Sequence, residues 1–170
     1  MQRGNLILSG LMVIAAAVGL ARALQEATVA RRAGALLGVY GAALVASGIF
    51  PPDPMAGFPP DAVPGGASLS GVLHLTSGGI GFLALAGTAL VVAAWFSARR
   101  DPFARVSRVA VALIIIGFLG GAVLAERAAG VALLWVAVLC GWGWLAGASI
   151  RLYRAVPHPD PDRRPQASST

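Results

Sequence analysis

The chain has no lysine: all 13 of its basic residues are arginine. Only 12% of its 170 residues are charged, about half the share of a soluble domain. It has a single cysteine, Cys140, inside an apolar run. One thiol excludes an internal disulfide framework and a cysteine metal cluster, so Cys140 reads as a small packing residue. Of two histidines, only His74 borders an apolar segment, because His158 falls in the polar tail. That argues against bis-histidine haem, which needs two imidazoles at membrane depth. No complete catalytic, nucleotide or cofactor motif occurs, and no cofactor is expected.

Long apolar runs are what the chain does have. It is 57% apolar, with a mean hydropathy of +0.77. Five segments reach the roughly 20 residues needed to cross the hydrocarbon core: about 5–24, 33–50, 71–98, 106–125 and 128–150. The fourth is the clearest. Its eight large aliphatic and aromatic residues between Val109 and Leu119 contribute about −2 to −5 kcal/mol on an insertion scale. The fold class expected is therefore an all-α polytopic membrane helix bundle of five spans over residues 1–155. Residues 156–170, rich in proline and charge, are expected to be a disordered tail.

The net charge of +6 does not point to nucleic acid, because the arginines flank apolar segments instead of forming one stripe. Eleven fall on one side: Arg22, Arg31, Arg32, Arg99, Arg100, Arg105, Arg108, Arg151, Arg154, Arg163 and Arg164. Only Arg3 and Arg127 fall on the other. The positive-inside rule assigns the eleven to the cytoplasm. The expected location is the cytoplasmic membrane, with the amino terminus outside and the carboxyl terminus inside. The expected partners are membrane lipids. Small residues at spacings of three and four (Gly34, Gly38 and Gly41; Ser77 and Gly81; Gly117 and Gly121; Gly143 and Gly147) mark faces for close helix packing. They serve either the bundle itself or a homo-oligomer or helix partner.

The longest polar interruption carries Phe-Pro-Pro-Asp twice, at 50–53 and 58–61. Paired prolines fix φ and remove backbone donors, which makes this loop stiff and extended. Ser68 or Ser70 is placed to cap the next helix, and His74 follows one turn inside it. An ionisable side chain at that depth faces the bundle interior. Asp53, Asp61, His74 and Glu126 all fall on the same side and form the candidate site. Three readings compete. Asp53 accepts a hydrogen bond from His74 and locks the loop. Alternatively, the group binds a lipid headgroup, a small ligand or a cation. In the third reading His74 and Asp53 catalyse a reaction on a lipid or headgroup. The ionisable residues cluster at one face, not at the midplane, which argues against an ion pathway.

Gly48-Ile49-Phe50-Pro51-Pro52-Asp53-Pro54 followed by Gly71-Val72-Leu73-His74 resembles the prokaryotic membrane family called domain of unknown function 998. The likeness extends more loosely over most of the chain. It implies a multi-pass membrane protein of about six spans, of which this chain has five, as if the first were missing. It favours Asp53 and His74 as the site residues and supplies no reaction.

Overall fold

A computed structural model describes residues 2–24, 26–54, 66–125 and 127–155. These form an all-helical fold: α1 (Gln2–Ala23), α2 (Ala27–Ile49), α3 (Leu69–Ala98), α4 (Phe103–Val123) and α5 (Ala128–Ala155). Each of the five is long and apolar enough to cross a membrane. Their surface is that of a lipid-facing bundle. Leu11, Leu83, Val109, Ile116, Leu119 and Leu139 are all exposed, a far larger apolar surface than a water-soluble monomer presents. The expected tail at 156–170 lies outside the described residues.

Helix α2 begins six residues before the apolar run starting at Ala33. Arg31 and Arg32 end the hydrocarbon-compatible stretch but not the helix. Long basic side chains snorkel to the interface while the backbone stays helical.

Each helix packs antiparallel on its predecessor, and α5 also touches α3 and α1. Lipid supplies no hydrophobic drive between helices, so close approach has to. Glycine provides that approach along α1 and α2. A Cβ on Gly41 would stand 2.8 Å from the Gly10 carbonyl oxygen, one on Gly48 3.0 Å from that of Arg3, and one on Gly34 3.3 Å from that of Ala17. Gly34, Gly41 and Gly48 recur every seven residues, as do their partners Ala17, Gly10 and Arg3. A seven-residue repeat keeps one seam facing its neighbour along a left-handed crossing. Gly117 and Gly121 play the same part in α4 against α5, where a Cβ would meet the carbonyls of Leu133 and Gly130 at 2.8 and 3.0 Å. Gly38 and Gly143 face open space, so their small-residue spacing does not mark a contact within the bundle.

The centre is filled by Leu37, Leu85, Val92, Phe96 and Ile114. Most of its few polar atoms are paired, with Trp95 Nε1 the exception among the described residues. Trp144 Nε1 donates to Ser107 Oγ at 3.0 Å, and that hydroxyl donates to the Phe103 carbonyl at 3.0 Å. Trp142 Nε1 donates to the Tyr40 hydroxyl at 3.1 Å, tying α5 to α2.

The α3–α4 turn is tight. Arg100 N–H donates to the Ser97 carbonyl, and Asp101 N–H reaches back to that of Phe96. This is the Schellman pattern, which puts its pivotal residue in the left-handed region, and Arg100 has φ 55°. Asp101 Oδ1 then accepts from Phe103 N–H at 2.7 Å and lies 3.6 Å from Arg151. Arg99 stacks 3.7 Å above the Trp95 ring and pairs with Glu26 at 3.1 Å. The arginine-rich end is thus cross-linked across the first and third turns.

Candidate functional site

The opposite end, where α2 meets α3, is governed by two prolines. In a continuing helix the carbonyls of Ser47 and Gly48 would accept from the N–H groups four residues on. Those residues are Pro51 and Pro52, which have no N–H to give. Proline also drives the residue before it out of the helical region, and Phe50 is extended, with φ −94° and ψ 108°. The last helical bond runs from Phe50 N–H to the Ala46 carbonyl at 3.0 Å. Beyond it, α2 ends in carbonyls that need donors from elsewhere, and at membrane depth an unpaired one is costly.

Side chains from the neighbouring helices supply them. His74 Nδ1, on α3, lies 3.0 Å from the Ser47 carbonyl and 2.8 Å from that of Phe50. Arg3, on α1, donates from Nε to the Gly48 carbonyl at 3.1 Å and from Nη2 to that of Ile49 at 2.6 Å. The Ser70 hydroxyl donates to the Pro51 carbonyl at 2.9 Å. Every carbonyl from Ser47 to Pro51 therefore faces a side-chain donor. Arg3 also places a cation at a helix C-terminus, where the macrodipole favours one. Both neighbours of His74 Nδ1 accept only, so this nitrogen carries the proton. In the neutral ring Nε2 then holds the lone pair.

Asp53 serves the start of α3. Its carboxylate accepts from the Ser68 N–H at 2.9 Å and from the Ser68 hydroxyl at 2.5 Å. Ser68 is the N-cap of α3, and its Oγ accepts from Gly71 N–H at 3.0 Å. The Ser68 hydroxyl, and after it the Ser68 N–H, hold the Asp53 carboxyl below the usual carboxylate range. Gly71 makes the arrangement possible: a Cβ there would run into the Asp53 carboxylate. The two motifs noted in the sequence thus meet. Pro-Pro-Asp strips the end of α2 of donors and reaches over to α3, while Gly-x-x-His leaves room for the aspartate and returns a donor one turn later.

The structure brings Asp53 and His74 to one junction, but not into the direct hydrogen bond that the first of the three readings gives them. The start of a helix needs an acceptor and the end of one needs a donor, so each side chain bonds backbone of the type it complements. Ser68 caps α3, while Ser70 bonds Pro51 instead. In the sequence Arg3 is a charge on the sparse side, with no contact assigned to it. Its signal was indirect: a proline pair at a helix end implies missing donors, and Arg3 is the basic residue nearest in the topology. Asp61 and Glu126 lie outside the described residues. Among the described residues, no group of three His, Cys, Asp or Glu side chains stands close enough to hold a metal ion.

A family model described as "Protein of unknown function (DUF998)" matches residues 1–151. The chain belongs to that family. Five apolar helices and membership together make it a membrane protein of unknown function. No curated protein and no solved structure matches it. The match extends over all but the last turn of α5, and includes both motifs and Arg3.

Proposed function

We propose that this member of the family is a multi-pass protein of the cytoplasmic membrane whose extracytoplasmic face is a closed latch built on Asp53 and His74. The orientation rests on arginine asymmetry, eleven against two, which puts the α2–α3 junction and the amino terminus outside. The observation that carries the latch is the unbroken run of carbonyls, Ser47 to Pro51, each facing a side-chain donor. Asp53 and His74 spend their polar atoms on backbone, which favours holding the loop over turning over a substrate.

A second reading is favoured by one specific feature. With its Nδ1 proton committed, His74 presents Nε2 as an acceptor, and no described residue bonds it. A lipid headgroup or small ligand bearing a hydroxyl or ammonium group would complement that nitrogen. Catalysis on a lipid or headgroup by His74 and Asp53 is the alternative of a different class.

The test is thermal unfolding in detergent of Asp53→Ala and His74→Ala, alongside native mass spectrometry of each. The latch requires both variants to unfold at lower temperature, and wild-type stability in both would sink it. Loss of a retained lipid or small molecule from His74→Ala alone, at unchanged stability, would favour the second reading. A stoichiometric transition metal, or lipid turnover abolished by His74→Ala with the fold intact, would favour the enzyme.

A further inference from the structure

At the arginine-rich end, the surface formed by α1 and α2 carries an open groove of about 450 Å³. Ala17, Gly34 and Gly38 form its floor, and Ile14 and Val18 flank it. Two arginines, Arg22 on α1 and Arg31 on α2, line its mouth. Both are exposed, and neither bonds or pairs with any other described residue. In this they differ from Arg99, Arg108 and Arg151 at the same end, which are engaged with Glu26, Ser97 and Asp101. From Arg31 to Gly38 the helix rises roughly 10 Å, less than half the hydrocarbon thickness. The groove therefore runs from the interface into a single leaflet.

An apolar trough one leaflet deep, with two uncompensated cations at its polar end, has the shape and charge of one kind of occupant. We infer that the groove binds an anionic phospholipid, with an acyl chain along Ala17, Gly34 and Gly38 and the phosphate at Arg22 and Arg31. Guanidinium groups match phosphate oxygens in charge and geometry. A second copy of the chain fits poorly: a two-fold contact through this face would set Arg22 and Arg31 against the same arginines at equal depth. Gly38 is why the trough has space, since nothing lies within 4 Å of where its Cβ would stand.

The test is the unfolding temperature of purified protein in detergent with added phosphatidylglycerol or phosphatidylcholine, together with lipid retention by native mass spectrometry. Phosphatidylglycerol should raise the wild-type midpoint by about 2–4 °C more than phosphatidylcholine does. Arg22→Gln/Arg31→Gln should lose that difference, and Arg105→Gln, at the same end, should keep it. Gly38→Phe, filling open space, should keep wild-type stability in plain detergent and lose the retained lipid. Equal responses to the two lipids, an unchanged response in Arg22→Gln/Arg31→Gln, or full lipid retention by Gly38→Phe would each overturn the inference. So would a shift reproduced by soluble glycerol phosphate, or a dimer through this face that the arginine variants leave intact.

Discussion

Replacing His74 by alanine takes one proton away from two carbonyls. Nδ1 is shared between Ser47 at 3.0 Å and Phe50 at 2.8 Å, so the loss counts as one bond. Leaving a buried acceptor without its donor costs about 1–3 kcal/mol. The site is only partly buried, so the lower part of that range, about 1–2 kcal/mol, applies. For a chain of this length that lowers the midpoint by about 2–8 °C. Arg3→Gln removes two bonds from a charged donor, to Gly48 and Ile49. One of them is solvent-exposed, and a loss of about 1.5 kcal/mol is expected. The two side chains hold successive carbonyls of the same helix end. Once one is gone, the last turn of α2 frays and the other has less to hold. The double variant should therefore fall short of additivity by at least about 0.5 kcal/mol. Thermal unfolding of the four proteins in one detergent measures the cycle. His74→Gln, which keeps an N–H donor of similar reach, should recover part of the loss. A His74→Ala midpoint within about 1 °C of wild type, or additive losses, would refute the claim that both residues cap α2.

Other consequences are open to direct measurement. Arg100 sits at φ 55°, where glycine carries no steric penalty, so Arg100→Gly should stabilise the protein by about 1 kcal/mol, read as a higher unfolding midpoint. Gly41→Leu should separate α1 from α2 and lower the midpoint sharply, since its Cβ meets backbone, whereas Gly38→Leu faces open space and should be tolerated. Similar midpoints for the two leucine variants would contradict the seven-residue seam. The Asp53 carboxyl is held below its ordinary value. A depressed carboxyl stabilises the fold above its unfolded-state pKa, and that contribution fades as pH falls through the folded-state value. Acid unfolding of Asp53→Asn should therefore lack a step that the wild type shows below the ordinary carboxylate range.

The five spans were legible because lipid demands long apolar runs and closed backbone hydrogen bonding, and both leave marks on the sequence. Helix ends were less so: α2 runs back through Arg31 and Arg32 to Ala27 because a charge ends burial without ending a helix. Among the glycines, spacing alone did not tell Gly38 from Gly41. The two differ in which side of α2 faces α1, and that depends on register between two helices. The Asp53–His74 neighbourhood was visible in motif order, but the partner of each was not. Those partners are mostly backbone carbonyls and amides, which every residue possesses and no sequence pattern advertises. Arg3 escaped for a related reason: its carbonyl partners lie 45 and 46 positions away.

That separation bears on how the chain is made. The last turn of α2 draws its donors from Arg3, already synthesised, and from His74, 27 residues beyond Ser47. When α2 first leaves the ribosome its final carbonyls have only half their partners. They gain the rest when the opening turns of α3 emerge and dock. The end of α2 is thus expected to be completed only once the first three helices are together. A nascent chain halted between Pro54 and His74 would carry an unfinished helix end, open to water or to quality control until synthesis resumes.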